Sequence, residues 1–220
     1  MIGHCAALAS VVAVACAGTG AIASGPVVQP YETEAVAGTS LDQPLHVLFS
    51  WRIEEPDGRF SGHGATRVEP PHHARLDLFG PRGEAYLMAA LVDMELRLPA
   101  GADGRTLPPP ALLWAALGMF RPPDGARLTG TAREGETTRL DYVRDDERWM
   151  FRLEGGRLRW AEWTRSDGRR TIELEGDAEH GLPRQAVYRD WPAFRELRLT
   201  VDEVNATQGF DDEIWTVGTR

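Results

Sequence analysis

The feature that most constrains this chain is a long series of short strand-like segments interrupted by one apolar segment with helical spacing. Alternating apolar and polar side chains, separated by Gly, Pro and Asp-Gly turns, predict roughly eleven strands. The one segment with helical spacing lies at the end of the stretch from Arg75 to Gly118. There a proline-rich link is followed by apolar side chains from Leu112 to Leu117. The pattern therefore predicts strands first, followed by one short helix that begins near Pro110.

Consecutive hairpins with one apolar face need something to cover that face, and one short helix cannot cover so large a sheet. We therefore expect a mainly β protein in which a curved antiparallel sheet curls around the helix, which acts as a lid or plug. The concave side is either an apolar cavity or a filled core, and the pattern leaves both open. Four large side chains are candidates to fill it, namely Trp114, Trp149, Phe151 and Trp160.

Two glycines, Gly62 and Gly64, lie two residues apart in the second predicted strand and therefore on the same face of it. Glycine inside a strand weakens it and provides no side chain to pack. Its presence at both positions indicates sharp curvature of the sheet or the close approach of another group.

Charge and cysteine usage exclude several classes of function. The net charge of -9 leaves no excess of basic side chains to neutralise phosphates, which argues against a general nucleic-acid role. The only cysteines are Cys5 and Cys16, close to the start of the chain. The predicted folded body therefore has no disulfide, no cysteine-based metal site and no cysteine nucleophile.

The first residues have the character of an export leader. Residues 5–15 form an apolar run that is too short to span a bilayer and has the length of a signal-peptide core. The run ends directly at Cys16, in a sequence similar to a bacterial lipobox, which favours lipidation of that cysteine. The alternative is ordinary secretion after cleavage at Ala23, because residues 21–23 fit the A-x-A rule.

The chain divides into three predicted segments. Residues 1–23 are the leader, and residues 24–44, rich in Gly, Ala, Ser, Thr and Pro, are interpreted as a flexible tether. Residues 45–220 form the predicted half-barrel domain, which we expect to lie outside the cytoplasm.

No catalytic, metal-binding or cofactor-binding constellation is apparent in the sequence. His72 and His73 occupy a proline-flanked turn without further ligands at regular spacing. Ser61 and His63 lie near a glycine pair, but there is no G-x-S-x-G elbow and no arranged acid, so a hydrolase is the least supported hypothesis. We predict a non-enzymatic protein without a cofactor.

The order of these landmarks resembles the LolA/LolB family of bacterial lipoprotein-localisation factors, and LolB more closely. The similarity covers most of residues 60–201 and is carried by four segments. They are RLDLFGPRG at 75–83, PPPALLWAALGMFRPP at 108–123, RLRWAEWTRSDGRRTIELEG at 157–176 and GLPRQAVYRDWPAFRELRLTV at 181–201.

This resemblance implies a half-open antiparallel β-barrel with a helical lid and an apolar cavity that accepts acyl chains of lipoproteins or lipids. It also implies an outer-membrane lipoprotein that faces the periplasm, is anchored to the membrane surface through Cys16, and carries or accepts cargo for localisation there. We expect it to be a monomer. The predicted acyl-chain cavity residues are Leu76, Leu78, Leu96, Leu98, Leu113, Trp114, Leu117, Trp149, Phe151, Leu158, Trp160, Leu174, Leu197 and Leu199.

The turn formed by Pro81, Arg82 and Gly83 corresponds to a membrane-facing loop of LolB. LolB has an exposed leucine where this chain has Arg82, and a guanidinium favours contact with headgroups over contact with acyl chains. The alternative hypothesis for the whole protein is a structural envelope lipoprotein with a solid core, whose charged outer face binds a partner.

Overall fold

The computed structural model describes residues 25–102 and 107–217, and its main feature is a single antiparallel sheet of twelve strands. The sheet is curved and not closed into a barrel, which confirms the predicted half-open architecture. The strands are β1 (Leu45–Glu55), β2 (Gly58–Glu69), β3 (His73–Phe79), β4 (Ala85–Val92), β5 (Glu95–Arg97), β6 (Arg127–Glu134), β7 (Thr137–Arg144), β8 (Glu147–Glu154), β9 (Arg157–Arg165), β10 (Gly168–Asp177), β11 (Pro183–Asp190) and β12 (Arg195–Ala206).

The strand order explains how the gap in the barrel is bridged. The order is β5-β4-β3-β2-β1-β12-β11-β10-β9-β8-β7-β6, so every neighbour is a hairpin partner except the central pair β1 and β12. The two edge strands, β5 and β6, are therefore consecutive in the chain. The link between them contains helix α2 (Pro110–Ala116), so the helix is held inside the half-barrel by strands at both ends.

Strand β1 defines the inner face. Its alternate residues, from Leu45 to Ile53, are buried, as expected for a strand with one face toward the core. The glycines of β2 are explained by the aromatic side chains of β1. A Cβ atom at Gly62 would lie 2.0 Å from the carbonyl oxygen of Phe79 and 2.9 Å from Trp51, and one at Gly64 would lie 2.3 Å from the Phe49 ring.

The described part of the interior is mainly occupied by side chains. An aromatic cluster from β7, β8 and β9 packs against Phe120, whose ring centroid lies 5.0 Å from that of Phe151. Trp149 stacks on Trp163 with a centroid distance of 5.4 Å. On the six strands from β12 to β7, the filled-core alternative therefore describes the concave side.

The predicted tether contains a helix. Residues Gln29–Thr39 form α1, which has Pro30 in its first turn and contacts β7 and β9. Ala35 is the only residue of α1 that is buried, so the helix has a narrow hydrophobic side. The segment therefore lacks an apolar period, which is why the sequence pattern indicated a tether. The start of the domain at residue 45 stays a prediction, and the leader with Cys16 lies outside the described residues.

The end of the chain covers part of the convex face. A short 3₁₀ helix, Asp212–Trp215, lies against β3 and β4. Arg75 Nη1 donates to the carbonyl oxygen of Ile214 at 2.8 Å, and the buried Trp215 ring lies 5.3 Å from His73. Among the described residues, neither helix has the length and apolar character needed to cross a membrane.

Candidate functional site

The candidate site is an apolar cleft between α2 and the inner face of the sheet. Its volume is about 50 Å³, and Thr66 is the one lining residue with a polar side chain. The cleft is lined by Thr66 of β2, Ala74 and Leu76 of β3, Ala89 and Leu91 of β4, Leu96 of β5, Leu107 of the link, Leu113, Ala116 and Leu117 of α2, and Leu199 of β12.

The size of the cleft limits what it holds in this conformation. A water molecule needs roughly 10–15 Å³ by this measure, so the cleft has room for a few small molecules at most. Pockets that enclose whole ligands measure about 300–1,000 Å³. An acyl chain therefore requires that α2 moves relative to the sheet.

Helix α2 is apolar on all sides, as is typical of a buried helix. Leu112 and Ala115 face the main core, Trp114 packs with Val68 and Met119 in a second cluster, and Leu113 borders the cleft. Prolines before the helix and Gly118 after it set its short length, because Gly118 adopts a φ of 78°. The helix thus acts as a plug as much as a lid.

A polar contact joins α2 to the β4–β5 turn. The Trp114 indole nitrogen donates a hydrogen bond to the carbonyl oxygen of Asp93 at 2.6 Å. Asp93 has a φ of 53°, a left-handed conformation that turns its carbonyl toward the helix. The His72 ring meets Trp114 edge-on, with ring centroids 5.7 Å apart.

His72 is in turn held by Arg121, which follows α2. Arg121 Nη1 lies 3.2 Å from His72 Nδ1, and Arg121 Nη2 donates to Asp93 Oδ1 at 3.3 Å. Burial, and secondly the positive charge of Arg121, lower the pKa of His72 below its usual value. The ring is therefore neutral at neutral pH and accepts a hydrogen bond from the guanidinium. We call His72, Asp93, Trp114 and Arg121 the latch.

The residues predicted from sequence to form the cavity lie in five different places. Five line the cleft, namely Leu76, Leu96, Leu113, Leu117 and Leu199. Six are packed in the solid part of the core, namely Leu78, Trp149, Phe151, Leu158, Leu174 and Leu197. Trp114 belongs to the latch, and Leu98 is half-buried just after β5. The remaining residue, Trp160, lies elsewhere.

Trp160 is on the convex face, which corrects the expectation that it shares the inner face with Leu158. The register of β8 with β9 shifts between Arg152 and Leu153, so Trp160 lies opposite the exposed Arg152 and Leu158 lies opposite Leu153. Such a bulge reverses the facing of every later residue. Trp163 consequently replaces Trp160 in the core, and no local signal in the sequence indicates this shift.

Sequence reasoning also missed six lining residues, Thr66, Ala74, Ala89, Leu91, Leu107 and Ala116. Ala89 and Leu91 alternate along β4, so period-two spacing was a usable signal for them. The sequence contains no such signal for Ala74, which is small, or for Leu107, which lies in the proline-rich link.

Two further predicted features lie away from the cleft. Pro81, Arg82 and Gly83 form an exposed turn in which the backbone N–H of Arg82 donates to Glu84 Oε2 at 2.9 Å. The role of this turn at a membrane stays a prediction. Ser61 and His63 are exposed on β2, on the face opposite the cleft.

Helix α1 is attached to the sheet by polar groups on the side away from the cleft. The Tyr142 hydroxyl donates to Glu32, and burial raises the pKa of Tyr142 well above its usual value. Arg133 pairs with Glu34, and its guanidinium lies 4.1 Å above the centre of the Tyr31 ring. In the part of the chain that the structure describes, no three His, Cys, Asp or Glu side chains are grouped so that they could hold a metal ion.

Comparison with known proteins identifies the fold. No protein-family model and no curated protein matches the chain in sequence. Among solved structures, a LolA superfamily protein from Nitrosomonas europaea is similar, with a TM-score of 0.59 and 13% identity over 86% of this chain and 98% of that one.

Two other structures are similar over comparable lengths. A Vibrio parahaemolyticus domain named for outer membrane lipoprotein sorting has a TM-score of 0.57 and 8% identity, over 84% of this chain and 94% of that one. A DUF1329 family protein from Desulfovibrio piger has a TM-score of 0.55 and 10% identity, over 87% of this chain and 98% of that one. At these identities the similarity establishes the fold alone. The curved sheet, its strand order and these matches together show that the chain has the fold of the LolA superfamily.

Proposed function

We propose that this protein binds acyl chains of lipoproteins or lipids beneath α2 and carries or accepts them in a bacterial envelope. The observation that carries this proposal is the cleft itself, in which every lining side chain except that of Thr66 is apolar. The names of the similar proteins, which refer to the LolA superfamily and to lipoprotein sorting, support the same class of cargo.

Binding requires that α2 withdraws, and its cost can be compared with the gain. Exposing the buried Leu112 and Trp114 and the half-buried Leu113 and Leu117 costs on the order of 6–9 kcal/mol. A sixteen-carbon chain that enters the vacated space gains about 12 kcal/mol relative to water, at about 0.8 kcal/mol per CH₂. The two terms are similar, so one acyl chain is able to replace the apolar side chains of α2.

The same comparison explains why the protein would release its cargo. A membrane offers the chain the full transfer free energy without the cost of displacing α2. Cargo therefore moves from this protein to a bilayer or to a partner with a more open site. We propose that residues 1–23 direct export, that lipidated Cys16 anchors the protein at the outer membrane facing the periplasm, and that it acts there as a monomer without catalysis.

Native mass spectrometry of the full-length protein, expressed in a bacterium that exports it, tests the proposal. The wild-type protein should retain lipid or lipopeptide, and Ala116→Phe should lose it because the new ring fills the cleft. Ala37→Phe is the matched control, since Ala37 is exposed on α1. If the wild-type protein and a Trp114→Phe variant with a weakened latch both carry no lipid, the proposal is wrong.

The filled interior supports a second candidate, a structural envelope protein that binds a partner through its outer face. The observation in its favour is the small cleft volume of about 50 Å³ beside a tightly packed aromatic core. This candidate predicts no bound lipid in any variant. It also predicts that depletion of the protein leaves the distribution of cellular lipoproteins unchanged.

A further inference from the structure

A second surface combines exposed aromatic rings with accessible arginines. The turn between β11 and β12, Trp191–Phe194, is called here the aromatic turn. Phe194 is 81% exposed and Trp191 is 48% exposed, the two highest values among the large apolar residues that the structure describes. Neither ring contributes to the core, and neither lies near the cleft.

The aromatic turn is held in a fixed conformation. Phe194 adopts a φ of 50°, a left-handed conformation that is unfavourable for a bulky side chain. The N–H of Ala193 donates to Asp190 Oδ1 at 3.3 Å, and Pro192 lies so close to Gly168 that a Cβ atom there would be 2.3 Å from it. The neighbouring hairpin therefore supports the turn, which keeps the Phe194 ring in solvent.

Arginines flank these rings. The Arg169 guanidinium lies 4.8 Å above the centre of the Trp191 ring, and its nearest carboxylate, on Glu162, is 3.9 Å away. Arg59 lines the same groove as Trp191 and Phe194, and its side chain is 78% exposed with Glu54 at 3.6 Å. Both guanidinium groups are loosely paired, so both are free to contact an anion at the surface.

The position of the N-terminal segment brings a membrane within reach of this end of the sheet. Gly25 pairs with Thr131 in β6. The strand register places the starts of β6, β8, β10 and β12 at one end of the sheet, so β6 begins at the same end as the aromatic turn. About nine residues separate Gly25 from Cys16 and can span at most about 30 Å. Thr131 lies four residues from Arg127 at that end, or about 13 Å. A lipid attached to Cys16 can therefore share a bilayer with the aromatic turn.

We propose that the aromatic turn docks on the surface of a phospholipid bilayer that contains anionic headgroups. The rings of Trp191 and Phe194 enter the interface, and Arg59 and Arg169 contact lipid phosphates. The predicted membrane-facing turn, Pro81–Gly83, lies at the same end of the sheet and adds Arg82. This inference rests on the proposed envelope location, and it assigns the apolar contact to a different turn from the one that the family resemblance implies.

The groove beside the aromatic turn argues for a lipid surface over a protein partner. Besides Arg59 and its partner Glu54, the charged groups of the groove are already paired within the protein, Arg195 with Glu55, Arg189 with Glu196 and Asp190 with Arg170. A protein partner would have to break these pairs to gain specific contacts. A bilayer needs only the exposed rings and the outer arginines.

A fluorescence experiment tests the docking at one position. The full chain, with Cys5→Ser and Cys16→Ser, carries an environment-sensitive fluorophore on Ala193→Cys. The matched control carries it on Ala37→Cys, an exposed alanine of α1 near the opposite end of the sheet. Vesicles of phosphatidylethanolamine with phosphatidylglycerol should shift and increase emission at position 193 only. Vesicles of phosphatidylcholine, or high salt, should give a smaller response.

Substitution of the two rings separates docking from other causes. Replacing either ring by serine should weaken vesicle binding about tenfold, and Trp191→Ser with Phe194→Ser should abolish the signal at position 193. An equal response at positions 37 and 193 would show that the apolar leader alone binds the vesicles. That result, no response at all, or a response that survives the double substitution would each overturn the proposal.

Two further readouts keep this test independent of the cargo proposal. The double variant should retain the wild-type thermal midpoint and the wild-type lipid content by native mass spectrometry, because both rings lie outside the cleft. Loss of vesicle docking with unchanged lipid content supports the membrane surface alone. A double variant that binds vesicles normally but no longer captures a defined envelope protein would show that the turn is a protein-docking site, against our proposal.

Discussion

The latch makes a quantitative prediction about α2. In Trp114→Phe the hydrogen bond from the indole nitrogen to the Asp93 carbonyl oxygen, 2.6 Å long in the wild-type protein, is lost. This loss costs about 1 kcal/mol. The smaller ring also leaves a fully buried site incompletely filled, which costs about 1–2 kcal/mol more. If α2 opens as a unit, the free energy of that opening should fall by about 2–3 kcal/mol.

Hydrogen exchange measures this opening directly. The amide of Leu117 donates to the Trp114 carbonyl oxygen at 3.0 Å, and so does the amide of Met119. Both should exchange about 30- to 150-fold faster in Trp114→Phe, since 1.4 kcal/mol corresponds to a factor of ten. Amides of β8 to β11 should change much less, because they exchange through opening of the sheet.

Trp149→Phe provides the control for this experiment. Trp149 is also buried, and its indole nitrogen also donates a hydrogen bond, to Glu147 Oε2 at 3.2 Å. It lies in β8, so its replacement should lower the stability of the whole sheet without selective exchange in α2. If Trp114→Phe accelerates exchange equally in α2 and in the strands, α2 is part of one cooperative core, and the reasoning that treats it as a movable plug is refuted.

Three other perturbations test separate parts of the structure. Burial and Arg121 lower the pKa of His72, so the neutral ring stabilises the latch above the usual His pKa of 6.5, and this contribution should be lost as the pH falls through the lowered pKa of His72. On acidification the thermal midpoint of the wild-type protein should therefore fall toward that of His72→Gln. Parallel pH profiles of the two midpoints would contradict this prediction. Gly62→Ala should destabilise the protein by about 3 kcal/mol in urea denaturation, because its Cβ atom would lie 2.0 Å from the Phe79 carbonyl oxygen. Gly58→Ala is the control, because its Cβ atom would lie 3.5 Å from the nearest atom of the Phe60 ring, and it should change stability by less than about 0.5 kcal/mol. Tyr142→Phe should loosen α1 by about 1–2 kcal/mol, since Glu32 loses its donor, and exchange of α1 amides at the wild-type rate would show that this hydrogen bond does not hold the helix.

The strands and α2 were predictable because their signals are local. Alternation of side chains along β1 follows directly from the period of a strand with one buried face. The helix at Pro110–Ala116 is marked by prolines before it and a glycine after it. The half-barrel was predictable because the apolar faces of the strands are too large for one short helix to cover. The alternation of apolar and polar residues in the sequence is sufficient to show this.

The structure differs from the local pattern where contacts between distant residues override that pattern. Helix α1 has almost no apolar side, and it is attached by Glu32 and Glu34 to residues about one hundred positions away. Trp160 faces outward because a single bulge shifts the register of β8 with β9. Neither a polar attachment across the fold nor a one-residue shift leaves a periodic trace in the sequence.

The sequence by itself determined that this chain forms a curved antiparallel sheet around one apolar helix, because period-two and helical patterns are set by neighbouring residues. The tertiary structure decided how much of the interior stays empty, since the cleft volume depends on how side chains from five strands, the link before α2 and α2 itself fill a shared space. It also decided the latch, which joins His72, Asp93, Trp114 and Arg121 from three separate segments. Spatial proximity of this kind arises only when the whole sheet has formed.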